Sequence, residues 1–156
     1  MNSPSSGWHF DHMNLAVSQP EALVTFFGDV LGWHPGHRPA FPFPGHWLYD
    51  GDAAVLHLQT VAGEKPNARL AHLAFRTERG ADEVLLALRA SGLEFEVMRH
   101  LEKPAAQIFV RLPGGFVLEL EAPTSQAVTG SRDYHALSEQ GTPLFRDVGS
   151  RAEGSG

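Results

Sequence analysis

The sequence predicts an α+β fold: two βαβββ modules whose strands form a cupped mixed sheet around a metal site. Three observations predict it. A strand–helix unit recurs after sixty positions, a later pair of strands matches in the same order, and both copies carry metal-ligating side chains at equivalent places.

The recurrence begins with His12-Met13-Asn14-Leu15-Ala16-Val17 and returns as His72-Leu73-Ala74-Phe75-Arg76-Thr77. Apolar residues alternate in both, which predicts strands. A helix follows each strand. In the first, Leu23, Phe26, Phe27, Val30 and Leu31 make one apolar stripe at i, i+3, i+4, i+7 and i+8. Ser18 and Glu21 have capping-box spacing at its start, and Gly32 suits its end. In the second, Ala81, Val84, Leu85 and Leu88 repeat the stripe and Gly92 closes it.

Shorter extended pieces complete each copy. Residues 46–50 and 54–59 follow the first helix; residues 94–100, 107–112 and 116–121 follow the second. Gly51-Asp52 and Pro113-Gly114-Gly115 supply tight turns between strands. The last strands match again, Val55-Leu56-His57-Leu58-Gln59 against Val117-Leu118-Glu119-Leu120-Glu121. The expected modules are 10–62 and 70–123, joined by the linker Gly63 to Asn67 within one domain over residues 1–123. From Thr124 the chain turns polar and Gly/Ser-rich, so residues 124–156 are expected to form a tail. Chance similarity would explain one matched strand; two matched strands and a helix, in order, favour duplication.

The totals narrow the function. A chain of 156 residues with 42% apolar content suits one soluble domain with a real core. A net charge of −6 offers no electrostatic footprint for nucleic acid or an anionic bilayer. No apolar stretch is long enough to span a membrane, and the first ten residues lack the pattern of a secretory signal. Cytosol is therefore the default compartment. With no Cys, thiolate chemistry is excluded, and the nine His residues and the carboxylates are the strong side-chain ligands for a metal.

Alternation assigns faces. Met13, Leu15 and Val17 share one, Leu73 and Phe75 the same one in the second copy, and the Leu pairs 56/58 and 118/120 again. That apolar face needs the helices as partners. His12, His57, His72 and Glu119 point the other way, and converge if the sheet curls. Three imidazoles and a carboxylate suit one divalent metal ion per chain: Zn, Ni, Co, Fe or Mn. Singly, each residue reads more simply as a hydrogen-bonded or solvated strand residue; the symmetric set of four points to a metal.

Weaker readings fall on the remaining groups. His34, His37 and His46 lie in a Pro/Gly-rich segment and are expected to be solvated or loop-capping, with one of them a candidate for lining the pocket. His9, His100 and His135 read as surface residues. Trp33, Phe41, Phe43, Trp47 and Tyr49 read as core or dimer-interface aromatics before a substrate cage. Arg76 shares the His72 face, where it suits either an anionic substrate or a surface salt bridge.

His12 to Val17, Phe26-Phe27-Gly28-Asp29-Val30-Leu31-Gly32, Ala71 to Phe75 and Pro113 to Leu120 resemble the vicinal oxygen chelate superfamily. That group includes glyoxalase I, extradiol dioxygenases, fosfomycin-resistance thiol transferases and bleomycin-binding proteins. The resemblance covers residues 10 to 122, and the stretch from Arg38-Pro39 through Trp47-Leu48-Tyr49 to His57-Leu58 is similar to a glyoxalase-like subgroup. It implies one ligand from each of the first, fourth, fifth and eighth strands: His12, His57, His72 and Glu119. It also implies a homodimer in which two chains complete the sites, His12 pairing with His57 and His72 with Glu119. Two features depart from the pattern. Glyoxalase I usually has Glu where His57 stands, and the usual Asp-Pro-Asp-Gly turn is here Leu112-Pro113-Gly114-Gly115.

The resemblance implies a small-molecule substrate that chelates through adjacent oxygens. Coordination number then separates the reactions. Four protein ligands on an octahedral ion leave two positions, enough for a hydroxy-carbonyl or enediolate, with Glu119 as the base of an isomerase or lyase. Cleaving a catechol with O₂ needs a third position, so His57 must stay off the metal and serve as acid or base. The first reading leads and the Fe(II) ring-cleaving dioxygenase is the alternative. The catalytic candidates are Glu119 and His57. A non-catalytic drug-binding protein is a third possibility, but bleomycin-type binders lack this metal set.

Overall fold

The structure, a computed structural model, describes residues 3–126 together with Val128 and Ser131. Two modules follow one another along the chain. The first runs β1 (Trp8–Ser18), α1 (Glu21–Leu31), β2 (His34–Pro35), β3 (Gly45–Asp50) and β4 (Ala53–Thr60). The second runs β5 (Asn67–Thr77), α2 (Ala81–Ser91), β6 (Phe95–Arg99), β7 (Ala105–Arg111) and β8 (Val117–Pro123). This is the α+β arrangement of two βαβββ units that the repeat predicts. The two-residue β2 was not anticipated, because it lies in the Pro/Gly-rich segment where no alternation is visible. Beyond Gln126 the expected polar tail, with His135, lies outside the described residues, Val128 and Ser131 apart.

All eight strands form one mixed sheet in the order β2-β3-β4-β1-β5-β8-β7-β6. The modules join edge to edge through antiparallel β1 and β5, while β4 lies parallel to β1 and β8 parallel to β5. The strands that carry His57, His12, His72 and Glu119, namely β4, β1, β5 and β8, are therefore adjacent at the centre. Short turns set these registers. Gly51, at φ 58°, turns β3 into β4, and Gly114 and Gly115, at φ 90° and 86°, turn β7 into β8. A side chain at such positive φ is disfavoured, which explains glycine there.

Both helices cover the same sheet face. Under α1, Val17, Leu48, Leu56 and Leu58 are buried with Met13, Leu15, Leu23, Val24 and Phe27 against them. Under α2, Ala81, Val84 and Leu85 pack on Val97, Ile108 and Val110. Both helices end at a left-handed glycine, Gly32 and Gly92, as the sequence predicts.

Two local expectations fail. Ser18 does not cap α1; Pro20 holds the cap position without a side-chain hydrogen bond, and the Ser18 hydroxyl donates instead to the Lys65 carbonyl in the linker. The apolar stripe on α1 is also rotated. Leu23, Val24 and Phe27 face the sheet, whereas Phe26, Val30 and Leu31 are exposed.

Candidate metal centre

The helix-free face carries the candidate ligands in two rows that follow from strand register. One row runs Trp47 (β3), His57 (β4), Asn14 (β1) and His72 (β5). The other runs His12 (β1), Ala74 (β5), Glu119 (β8) and Phe109 (β7). Ala74 stands between His12 and Glu119 and is 1% exposed. Its methyl is short enough for the two longer side chains to meet above it.

They do meet. One donor atom from each of His12, His72 and Glu119 lies within 4.8 Å of the others. Nε2 of His12 is 3.0 Å from Oε2 of Glu119, yet both atoms are buried and neither has a hydrogen-bond partner. Two ligands bound at right angles to one ion at about 2.1 Å stand about 3 Å apart, so this spacing fits a shared cation. Two buried, unpartnered lone-pair atoms aimed at one point are costly unless a cation or proton lies between them. His12, His72 and Glu119 could therefore hold a divalent metal ion.

Neighbours orient these ligands. Nδ1 of His12 lies 2.7 Å from Oδ2 of Asp11, so the Nδ1–H donates to Asp11 and Nε2 is left for the centre. Adjacent strand residues normally point to opposite faces. Here a register shift between Phe10 and His12 leaves Asp11 without a partner on β5, and its carboxylate turns to His12. Arg76 donates to the other Asp11 oxygen at 3.2 Å in a surface salt bridge. On the opposite side, Gln107 of β7 donates from Nε2 to Oε1 of Glu119 at 2.7 Å and turns Oε2 inward.

The electrostatics agree with a cation site. Burial disfavours charge on His12, but the Glu119 charge and the Asp11 hydrogen bond outweigh it and push its pKa up to about 9. Burial likewise opposes ionisation of Glu119, but the charges of His12 and His72 hold its carboxyl below the usual range. His72 is pulled down to about 4 by burial, against the Glu119 charge and helped by the His12 charge.

His57 does not join the three. Its ring lies stacked on His12, centroids 3.6 Å apart and planes 18° from parallel. An imidazole binds a cation in its own ring plane. The stack sets the His57 ring plane beside that of His12 rather than in line with it. Of the four expected residues, three bring donor atoms together and His57 lies stacked beside them. Burial first, then the charges of His12 and His72, lower the His57 pKa, so it is a neutral imidazole with a buried, unpartnered Nε2. All three convergent donors, one from the first module and two from the second, belong to this chain.

Several contributors were not legible as such. Asp11 needs the bulge, and Gln107 needs the β7–β8 register, to be recognised. Trp47, read as a core or interface aromatic, stacks on His57 at 3.8 Å and 9°. Phe41 and Phe43 pack with Met98, Leu101, Phe109 and Val117, placing an apolar wall beside the centre. His100, expected at the surface, is only partly exposed and accepts the backbone N–H groups of Glu102 and Lys103 at Nδ1. His37 is exposed and pairs with Glu102 at 2.7 Å, and Tyr49 donates to the His37 carbonyl. Trp33 stacks on Phe27 beneath α1.

Comparison with known proteins agrees with this architecture. Among curated proteins, none matches the sequence. Among solved structures, a methylmalonyl-CoA epimerase from Mycobacterium tuberculosis superposes with a TM-score of 0.57 at 21% identity, over 74% of this chain and 87% of that one. The 2,3-dioxygenase LapB from Pseudomonas sp. KL28 superposes with a TM-score of 0.61 at 18% identity, over 75% of this chain. A Mn(II)-bound glyoxalase from Novosphingobium aromaticivorans gives 0.55 at 18% identity, over 77% of this chain. The match spans only 41% of that dioxygenase and 42% of that glyoxalase. These likenesses establish the fold. The family model for the Glyoxalase/Bleomycin resistance protein/Dioxygenase superfamily matches residues 9–120, and the chain belongs to that superfamily.

Proposed function

We propose that the chain is an Fe(II)-dependent ring-cleaving dioxygenase acting on a small aromatic substrate with adjacent oxygens. The observation that carries this reading is the stacked His57. With His57 out of the ligand plane, the protein offers two imidazoles and one carboxylate, the ligand type of non-haem Fe(II) oxygenases. Held by these three residues, an ion would keep room for two substrate oxygens and O₂. A bound Fe(II) would polarise the substrate oxygens and relay electrons from the substrate, which is oxidised, to O₂, so that both oxygen atoms end in the product as a ring C–C bond breaks.

The chain's own residues supply the rest. Asp11 fixes the His12 tautomer, and Gln107 holds one Glu119 oxygen so that the other faces the centre. Neutral His57 accepts a proton at Nε2 from a substrate hydroxyl and returns it to the product. The wall of Phe41, Phe43 and Phe109 excludes water and suits an aromatic ring.

The test is O₂ uptake by Fe(II)-loaded protein given a catechol. We expect uptake to fall at least ~100-fold in His57→Gln, the scale of general acid–base catalysis, with iron content unchanged. Iron lost together with activity would make His57 a ligand. The isomerase or lyase reading keeps one observation in its favour, the unpartnered Oε2 of Glu119, which is placed to take a proton alpha to a carbonyl. Absence of O₂ uptake, with metal-dependent exchange of such a proton in D₂O, would select it.

A further inference from the structure

We infer that Trp47 sets the number of protein ligands on the metal by clamping the His57 imidazole flat against His12. The inference rests on the three-ligand reading above. Both faces of the His57 ring are covered, by His12 at 3.6 Å and by the Trp47 indole at 3.8 Å and 9°. Near-parallel rings at these distances are in van der Waals contact, so His12 and Trp47 must lie on opposite faces, and neither leaves room for a tilt.

The indole is itself held. Trp47 and His57 are direct partners on β3 and β4, which fixes the backbone separation. Behind the indole, Phe41 lies at 5.9 Å, stacked in turn on Phe43, with the Arg38 guanidinium over both rings and bonded to the Phe43 carbonyl. The loop between β2 and β3 thus packs its aromatic residues beside the indole.

The consequence is chemical. Nε2 of His57 is buried and unpartnered, and a metal held by His12 would lie a few ångströms from it, out of its plane. Only a tilt of the ring could bring that lone pair onto the ion, and the indole blocks the tilt. Trp47 therefore keeps His57 as a proton acceptor and keeps a coordination position open. Trp47 is a positioning residue, acting through His57.

The experiment uses cobalt(II) as the probe, added to the metal-free full chain, reading the visible spectrum and the cobalt affinity by chelator competition. In the parent, His57→Gln should leave the bands unchanged. Trp47→Leu should shift them and tighten cobalt binding about tenfold, as an added imidazole enters the shell. Trp47→Phe, whose ring still covers the face, should keep the parental spectrum. Adding His57→Gln to Trp47→Leu should restore it. If Trp47→Leu loses the circular dichroism of the fold, Trp47→Met, bulky but without a flat face, replaces it with the same expectations. A Trp47→Leu or Trp47→Met spectrum and affinity matching the parent overturns the clamp, and so does a shift that persists without His57. A shift on His57→Gln alone would mean that His57 already ligates, which overturns the three-ligand reading and the clamp with it.

Discussion

His57 and Glu119 occupy equivalent places on the last strands of the two modules, yet their neighbours turn them to different tasks. Both are buried on the helix-free face, and each has a direct aromatic partner on the adjoining strand, Trp47 for His57 and Phe109 for Glu119. The difference lies in what touches them. Trp47 stacks on the His57 ring and holds it off the ligand plane; Gln107 donates to Glu119 and turns its free oxygen to the centre. A duplicated scaffold thus supplies position, and the side chains of β3 and β7 decide the role. The helices differ in the same way. α2 buries Ala81, Val84 and Leu85, whereas no residue of α1 is fully buried.

The largest effect should come from breaking the second module's contribution to the centre. Glu119→Ala removes the charged ligand and His72→Ala a neutral one; each should weaken divalent metal binding by more than ~100-fold, beyond the range for an outer-shell partner. Metal analysis after gel filtration reads this directly. His57→Ala in the first module should leave occupancy intact. Equal losses from His57→Ala and His72→Ala would erase the contrast between the modules.

The next prediction concerns the helices. Leu85→Ala on α2 empties a fully buried site among Val97, Ile108 and Val110, and should cost about 2–5 kcal/mol in denaturant unfolding. A cost below ~1 kcal/mol would mean that α2 is not the anchored helix.

Much of this was legible in the sequence, and the limits have physical causes. Alternation gave the faces of Met13, Leu15 and Val17 correctly, because a regular strand has a period of two. It also placed His12, His72 and Glu119 on one face, since Met13, Leu73 and the pair Leu118 and Leu120 adjoin them with no register shift between. What alternation does not carry is the plane of a ring. Parity turns His57 to the same face as the others but says nothing of how its ring stacks between His12 and Trp47. Asp11 was hidden because its contact with His12 arises from the register shift, and a bulge leaves no trace in the hydrophobic pattern. On α1 the apolar residues are too numerous to define one stripe, so Phe26 and Val30 counted equally with Leu23 and Phe27.

A smaller effect should follow from the orienting contact on Glu119. Gln107→Leu keeps the volume but removes the donor to Oε1, and should weaken metal binding about 10- to 100-fold while the ligands remain. Asp11→Ala, which frees Nδ1 of His12, should fall in the same range. Isothermal titration against a competing chelator separates these from ligand loss. If Gln107→Leu matches Glu119→Ala, the amide is more than an orienting group.

The smallest effect is expected on the outer face of α1. Val30 is 64% exposed and Phe26 50%, and neither packs on the buried cluster beneath the helix. Val30→Lys places a good helix former at an exposed helical position, so intrinsic propensity favours it slightly while no core contact is lost. Stability should change by no more than about 0.5 kcal/mol, which in a domain of this size moves the melting temperature by about 1–2 °C. The measurement is a pair of thermal scans at low and high protein concentration, with sedimentation alongside. An unchanged sedimentation coefficient and melting temperature agree with a solvent-facing helix surface. A large, concentration-dependent drop would mean that this face is covered in solution by another chain. α1 would then be as buried as α2, and the asymmetry between the modules would be one of assembly rather than of fold.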